Sequence, residues 1–346
     1  FHAVRRPGKR VCKIKMSIKK AWIVFGTAFL LVFPTRLAEL FFLADHETGL
    51  YTDSMRTVSF AVTAVLAAAA VLMMLFCKAD PRSCYTGKPV YSPAASVAGC
   101  LAGAWLLVQS VMLLLQKNQE QPGAVQVQNF LFRVIMPLCG AAASVVLFMA
   151  AYGYFTGVNR LAGLRFLTLL PPLWGCVCLV SSFILYTSVV EITENVYDTF
   201  SMIFVLLFLF SQAKLLAGYE EGRSTRNLIL YGMLAVLVTM SASLPSIISS
   251  VCHEGESVFS QVNMIRMVNF MLSIYILACV IAHWRALSAR REDVHMQAHY
   301  GCLPLERPSL AYQCEVYLRT QYQSKAFFAE KHISPYGAEE NSKNLR

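Results

Sequence analysis

Residues 20–43 read KAWIVFGTAFLLVFPTRLAELFFL, and Lys20, Arg36 and Glu39 are the charged residues of this stretch. A helix of this length extends about 36 Å, which exceeds the ~30 Å hydrocarbon core of a bilayer. Because lipid offers the backbone no hydrogen-bonding partner, a single segment that crosses it is expected to be helical. The stretch therefore predicts a membrane-spanning helix.

The same pattern recurs along the whole chain of 346 residues, in which 56% of residues are hydrophobic and 14% are charged. Soluble proteins average about 25% charged residues. The predicted spans are residues 20–43, 55–77, 94–116, 132–155, 164–189, 197–217, 227–251 and 262–284. The sequence thus predicts an all-α fold, a polytopic transmembrane bundle of eight helices.

The charge of the connecting segments alternates along the chain. Lys and Arg concentrate before the first span, after every second span and after the eighth, whereas the intervening loops are mainly acidic. Positively charged loops remain in the cytoplasm, so both ends of the chain are predicted to be cytoplasmic. The net charge of +10 then follows from topology and predicts contact with the lipid bilayer rather than with nucleic acid.

Three regions are predicted from these patterns. Residues 1–19 form a basic cytoplasmic segment, in which Met16 directly precedes the first span and is an alternative start. Residues 20–287 form the eight-helix transmembrane domain. Residues 288–346 form a polar cytoplasmic tail, which is predicted to be disordered or membrane-associated because it has too few apolar residues to form a core.

Two charges lie inside the first predicted span. Arg36 and Glu39 follow Pro34, and a helix that stopped at Pro34 would be too short to cross the bilayer. Their i, i+3 spacing places both side chains on one helix face, where they are expected to pair. Ionisable residues within a membrane are functional candidates by default. The alternative is a purely structural ion pair that faces the bundle.

Two further arginines are predicted at the same outer level. Arg133 opens the fourth span, and Arg266 opens the eighth, shortly after Asn263. A helix N-terminus disfavours a cation, so each arginine is expected to have an anionic or carbonyl partner. The anionic candidates are Glu39, Glu191 and Glu194. Together, the residues predicted to bind a small polar or anionic ligand at an outward-facing polar site are Arg36, Glu39, Arg133, Asn263 and Arg266.

Patterns that carry enzyme chemistry are missing from the sequence. It contains no H-E-x-x-H, no G-x-S-x-G and no Walker loop. His295, His299 and Cys302 have a spacing that would place them on one side of a helix, but a structural zinc site requires four ligands. No metal or cofactor is therefore expected, and an intramembrane enzyme is the least supported class.

The segment RLAELFFLADHETGLY, residues 36–51, resembles the first helix and first loop of uncharacterised multi-span membrane proteins from anaerobic Gram-positive bacteria. The resemblance implies a bacterial cytoplasmic membrane and no particular activity. It also implies that Arg36, Asp45 and Gly49 are the positions of this chain that belong to the family pattern.

Two functional hypotheses follow from the sequence. Eight spans, several of them interrupted by proline, and charges in their outer halves favour a carrier or permease-like protein. Short loops and a polar tail instead favour a non-enzymatic sensor or assembly protein, which would bind a cytosolic protein through the tail.

Overall fold

A computed structural model describes residues 17–42, 53–79, 90–115, 134–186, 192–219, 221–252 and 261–299. Its α-helices are α1 Ser17–Phe42, α2 Asp53–Ala79, α3 Pro93–Leu115, α4 Met136–Thr156, α5 Leu170–Tyr186, α6 Ile192–Leu216, α7 Glu221–Cys252 and α8 Gln261–His299. Two 3-10 turns, Arg160–Gly163 and Leu167–Leu169, lie between α4 and α5. Regular structure in these ranges is helical throughout, which confirms the predicted all-α class.

Seven of the described helices are long and apolar enough to cross a membrane. Their spanning segments are Ile18–Glu39, Thr57–Lys78, Pro93–Leu115, Met136–Thr156, Val196–Leu216, Gly222–Ile248 and Met264–Ala289. The apolar helix at Leu167–Phe183 is shorter than the predicted fifth span, residues 164–189. The protein is therefore a multi-pass integral membrane protein, and its surface carries exposed apolar side chains such as Phe60 and Leu30 that suit contact with lipid.

The interior of the bundle is organised around α7. Its most apolar segment is 83% buried inside the bundle. Helix α7 packs against α1, α2 and α6; in addition, α1 packs against α2, α3 against α4, α4 against α5, and α5 against α6. A Cβ atom on Gly232 of α7 would contact Val280 and lie 3.1 Å from Phe208. Close approach of helix backbones at small residues is typical of membrane bundles. Gly232 thus allows α6 and α8 to pack tightly on α7.

Backbone and ring contacts bring several helix ends to one end of the bundle. The Ser92 amide, just before α3, donates to the carbonyl of Tyr154 near the end of α4 over 2.9 Å. The Asn159 side chain donates to the carbonyl of Leu216 at the end of α6 over 2.7 Å. The start of α3 and the ends of α4 and α6 therefore lie together.

The same end also includes the start of α1 and the later half of α8. The rings of Trp22 and Trp284 lie 5.4 Å apart, and those of Tyr154 and His283 lie 5.9 Å apart. Exposed basic residues here are Arg160, Arg165, Lys214, Arg223 and Arg285. We call this region the basic end of the bundle.

The chain divides into two compact units, Phe1–Arg290 and Arg291–Arg346. Within the second, the structure describes residues 291–299, which are the last turns of α8. The helix thus continues past residue 288, where the polar tail was predicted to begin.

Candidate polar site between α1, α2, α6 and α8

Helix α1 continues through Pro34, as predicted, and buries the two charges that follow it. Nη1 of Arg36 lies 2.7 Å from Oε2 of Glu39, and each residue is 1% exposed. The predicted ion pair is therefore present, and it faces the interior of the bundle rather than lipid. An arginine facing hydrocarbon would cost about 2.5–3.5 kcal/mol on insertion scales.

Tyr197 of α6 connects this pair to two other helices. The guanidinium carbon of Arg36 lies 4.2 Å from the centre of the Tyr197 ring. The Tyr197 hydroxyl lies 2.6 Å from the Thr63 hydroxyl of α2 and 3.4 Å from the carbonyl of Ser59. A cation over an aromatic face gains more when it is desolvated, as it is here. Arg36 therefore fastens α1 to α6, and Tyr197 fastens α6 to α2.

Asp198, the next residue of α6, contacts α8. Its Oδ2 lies 3.4 Å from Nε of Arg266, and the two side chains are 10% and 14% exposed. Asp198 is not among the predicted anionic partners of Arg266, although it lies within the predicted sixth span, residues 197–217. The structure places it within α6, which begins at Ile192, and so buries it among the helices.

We call the connected group Arg36, Glu39, Tyr197, Asp198 and Arg266 the Arg36 cluster. Arg133 lies outside the described residues, and so does the side chain of Asn263, whose backbone lies in α8. The cluster thus brings together three of the five predicted site residues. The function of all five in ligand binding stays a prediction.

Three buried oxygens on these helices have no hydrogen-bond partner within the described part of the chain. They are Oε1 of Glu39, Oγ of Ser59 and Oδ1 of Asn269, which lies one turn after Arg266 on α8. Buried polar atoms are normally satisfied by protein, water or a bound group. The oxygens of Glu39 and Asn269 are acceptors, so a molecule that supplies N–H or O–H donors would satisfy them.

Hydroxyl groups of α6 and α7 also meet between the helices. Ser201 and Thr239 lie 2.9 Å apart, and Ser246 donates to the Ala242 carbonyl of its own helix. The contact of Ser201 with Thr239 agrees with helix packing through small polar residues, which is common in membrane bundles.

A second polar group, near the basic end, was missed by sequence reasoning. The Gln212 side chain of α6 donates a hydrogen bond to the Tyr275 hydroxyl of α8. Nδ1 of His283 lies 2.9 Å from the carbonyl oxygen of Cys279. Tyr275, Cys279 and His283 are spaced by four, so this repeat of polar side chains on one face of α8 was the available signal.

A cavity of about 40 Å³ adjoins this second group and is lined in part by Tyr154, Asn159, Arg160 and His283. Its volume suffices for a water molecule. Among the described residues, no three potential metal ligands lie close enough together to hold one ion.

Comparison with protein-family models, with curated proteins and with solved structures gives no match to this chain. The chemistry of the site therefore has to be inferred from its own residues.

Proposed function

We propose that the protein is a membrane carrier for a small polar or anionic solute, which binds at the Arg36 cluster. The observation that supports this proposal is the burial of two charged pairs, joined through Tyr197, between helices of a membrane protein. Charged residues inside a membrane are costly and often mark the path of an ion or solute.

The charges of the cluster define the solutes that it favours. It pairs two arginines with two carboxylates, so a solute that carries both charges, or neither, leaves no unbalanced charge in the low-dielectric interior. Arginine binds carboxylate and phosphate groups with two parallel hydrogen bonds. A solute carboxylate or phosphate would thus replace Glu39 at Arg36, while the solute's own donors would pair with the released Glu39.

Access to the cluster requires a helix to move. Arg36 and Glu39 are each 1% exposed, so the described conformation is closed to solute. Pro34 lies inside α1, two residues before Arg36, and a proline removes a backbone hydrogen bond and favours bending at that point. We infer that bending of α1 near Pro34 opens the site.

We also propose eight crossings with both chain ends in the cytoplasm. Helix α5 has 17 residues, or ~26 Å, and the preceding 3-10 turn of 3 residues adds ~6 Å. Arg165 lies over the Tyr219 ring at 5.4 Å, so α5 starts near the end of α6. Because α6 itself is long enough to cross, α5 has to return the chain to the opposite face. The exposed cations of the basic end support placing that end in the cytoplasm.

Topology is tested by single cysteines in a variant that lacks the native ones. Cysteines replacing Glu120 and Glu256 are expected to react with a membrane-impermeant maleimide applied to intact cells. Cysteines replacing Lys88, Gly157 and Glu221 are expected to react only after lysis. Labelling of Glu221→Cys in intact cells would contradict eight crossings.

The resemblance at residues 36–51 supports a bacterial cytoplasmic membrane as the location.

Transport is tested with the full-length protein in proteoliposomes and labelled amino acids, carboxylates and inorganic phosphate. We expect uptake of one class, at least tenfold slower for Arg36→Met combined with Glu39→Gln, which removes both charges together. The matched control is Arg165→Gln, because Arg165 is exposed at the basic end. Equal uptake by the wild type and the double variant would overturn the assignment of the site.

One observation favours the alternative, a sensor or assembly protein. Helix α8 contains Arg266 of the cluster and continues to His299 in the polar region. A displacement of Arg266 on binding of solute would thus be transmitted along a single helix toward the tail. If so, deletion of residues 300–346 should abolish binding of a cytosolic protein and leave binding of solute intact, whereas a pure carrier should be indifferent to the deletion.

A further inference from the structure

A groove of about 490 Å³ lies between α6 and α7 at the basic end. Its lining includes Phe210 and Lys214 of α6, Tyr219 of the connecting turn, and Arg223, Asn227 and Tyr231 of α7. The volume falls within the roughly 300–1,000 Å³ of small-molecule sites. It is separate from the Arg36 cluster and shares no residue with it.

The turn between the helices builds one wall of this groove. Gly218 has a φ of 76°, a left-handed conformation that glycine adopts without strain. The Tyr219 amide donates to the Lys214 carbonyl over 2.9 Å, and Gly218 donates to Leu215 over 3.1 Å, which closes the last turn of α6. Ser224 then donates to the Tyr219 carbonyl over 2.9 Å. These bonds hold Lys214 and the first turn of α7 on the same side of the groove.

The mouth of the groove is positively charged. Lys214 and Arg223 are both exposed, and Nζ of Lys214 lies 4.7 Å from the centre of the Phe210 ring. Segment 214–226 carries three basic and two acidic residues. Arg223 also lies in the first turn of α7, where the helix dipole is positive and favours an anion. An anion therefore meets two cations and a helix N-terminus at one place.

The charge gives way to apolar surface along α6. Phe210 is 44% exposed, and Leu207 lies one turn further from the basic end. The groove thus has a cationic mouth and an apolar wall in the order that a phospholipid presents its phosphate and acyl chain. A soluble anion has no apolar group that could pack against this wall.

We propose that this groove binds an anionic phospholipid. Its phosphate would contact Lys214 and Arg223, and its acyl chain would lie along Phe210 and Leu207. Basic pockets between helices at the cytoplasmic face are suited to anionic headgroups, and each nearby Lys or Arg contributes to the attraction. Asn227 and Tyr231 supply uncharged polar groups to the glycerol region.

The test uses the purified full-length protein in detergent and dioleoyl phosphatidylglycerol as the probe, with phosphatidylcholine for comparison. Native mass spectrometry measures the bound lipid. We expect preferential binding of phosphatidylglycerol, weakened about 30-fold by Lys214→Gln combined with Arg223→Gln. The control is Arg285→Gln, an exposed arginine at the same end of the bundle and outside the groove, which should bind as the wild type does.

Charge-conserving exchange checks that the loss is not caused by misfolding. Lys214→Arg combined with Arg223→Lys should bind phosphatidylglycerol within about threefold of the wild type. Equal binding of the two lipids, or full binding by the Gln double variant, would overturn the proposal. Displacement of the lipid by millimolar inorganic phosphate would also overturn it and would assign the groove to free phosphate.

Discussion

The guanidinium carbon of Arg36 lies 4.2 Å from the centre of the Tyr197 ring on α6, one residue before Asp198, which contacts Arg266. Arg36 is thereby compensated twice, by the carboxylate of Glu39 and by an aromatic face. Because Tyr197 and Asp198 are adjacent, one short segment of α6 contacts a cation on α1 and another on α8. Displacement of α6 at this level would disturb both contacts together.

The Arg36–Glu39 pair should show strong coupling in a double-mutant cycle. Glu39→Gln leaves a buried guanidinium without its carboxylate, so we expect a loss of about 3–5 kcal/mol in the free energy of unfolding. Arg36→Met alone should cost a similar amount, while the double variant should recover part of the loss. Unfolding by SDS in mixed micelles measures these values. Simple addition of the two single losses would contradict a coupled pair.

Substitutions of Tyr197 separate its ring from its hydroxyl. Tyr197→Phe keeps the face beneath Arg36 and loses the 2.6 Å bond to Thr63, which should cost about 1 kcal/mol. Tyr197→Leu also loses the cation–π contact, which is worth about 2 kcal/mol when desolvated. In the same SDS assay, the free energy of unfolding should therefore be highest for the wild type, lower for Tyr197→Phe and lowest for Tyr197→Leu. Equal losses for Phe and Leu would show that the ring face contributes nothing.

Two glycines provide a matched test of helix packing. Gly232→Ala places a methyl group against Val280, Phe208 and Ile276, so we expect destabilisation of about 1–3 kcal/mol. Gly26→Ala is the control, because no atom lies within 4 Å of its added Cβ, and alanine is the better helix former. In thermal unfolding in detergent, the midpoint temperature should be lowered by Gly232→Ala and not by Gly26→Ala. A lower midpoint for both variants would indicate that packing at Gly232 is not the cause.

Hydropathy made most of the helices predictable. The apolar stretch at residues 94–116 corresponds to Pro93–Leu115, and all but the last residue of the one at 197–217 lies in Ile192–Leu216, since lipid requires each spanning segment to satisfy its own backbone. The fifth predicted span, 164–189, differs because Leu167–Leu169 forms a 3-10 turn and the α-helix begins at Leu170. Apolar composition alone does not distinguish between these two helical forms.

The site was predictable only where its contacts are local in sequence. The spacing of Arg36 and Glu39 predicted their pairing, because three residues bring two side chains to one helix face. The contacts of Tyr197 with Arg36 and of Asp198 with Arg266 join residues on different helices. They depend on how α6 is rotated against α1 and α8, and one sequence carries no information on that rotation.

The two ion pairs of the cluster should differ in strength and in response to salt. Arg266 and Asp198 lie 3.4 Å apart with side chains 14% and 10% exposed, whereas Arg36 and Glu39 lie 2.7 Å apart with both side chains at 2%. A longer and partly hydrated pair is weaker and more strongly screened. We therefore expect Asp198→Asn to cost less than Glu39→Gln, by at least about 1 kcal/mol. Raising the salt from 0.05 to 0.5 M should reduce the loss caused by Asp198→Asn and leave that of Glu39→Gln unchanged. A larger loss for Asp198→Asn, insensitive to salt, would mean that Arg266 rather than Arg36 is the more deeply buried charge of the cluster.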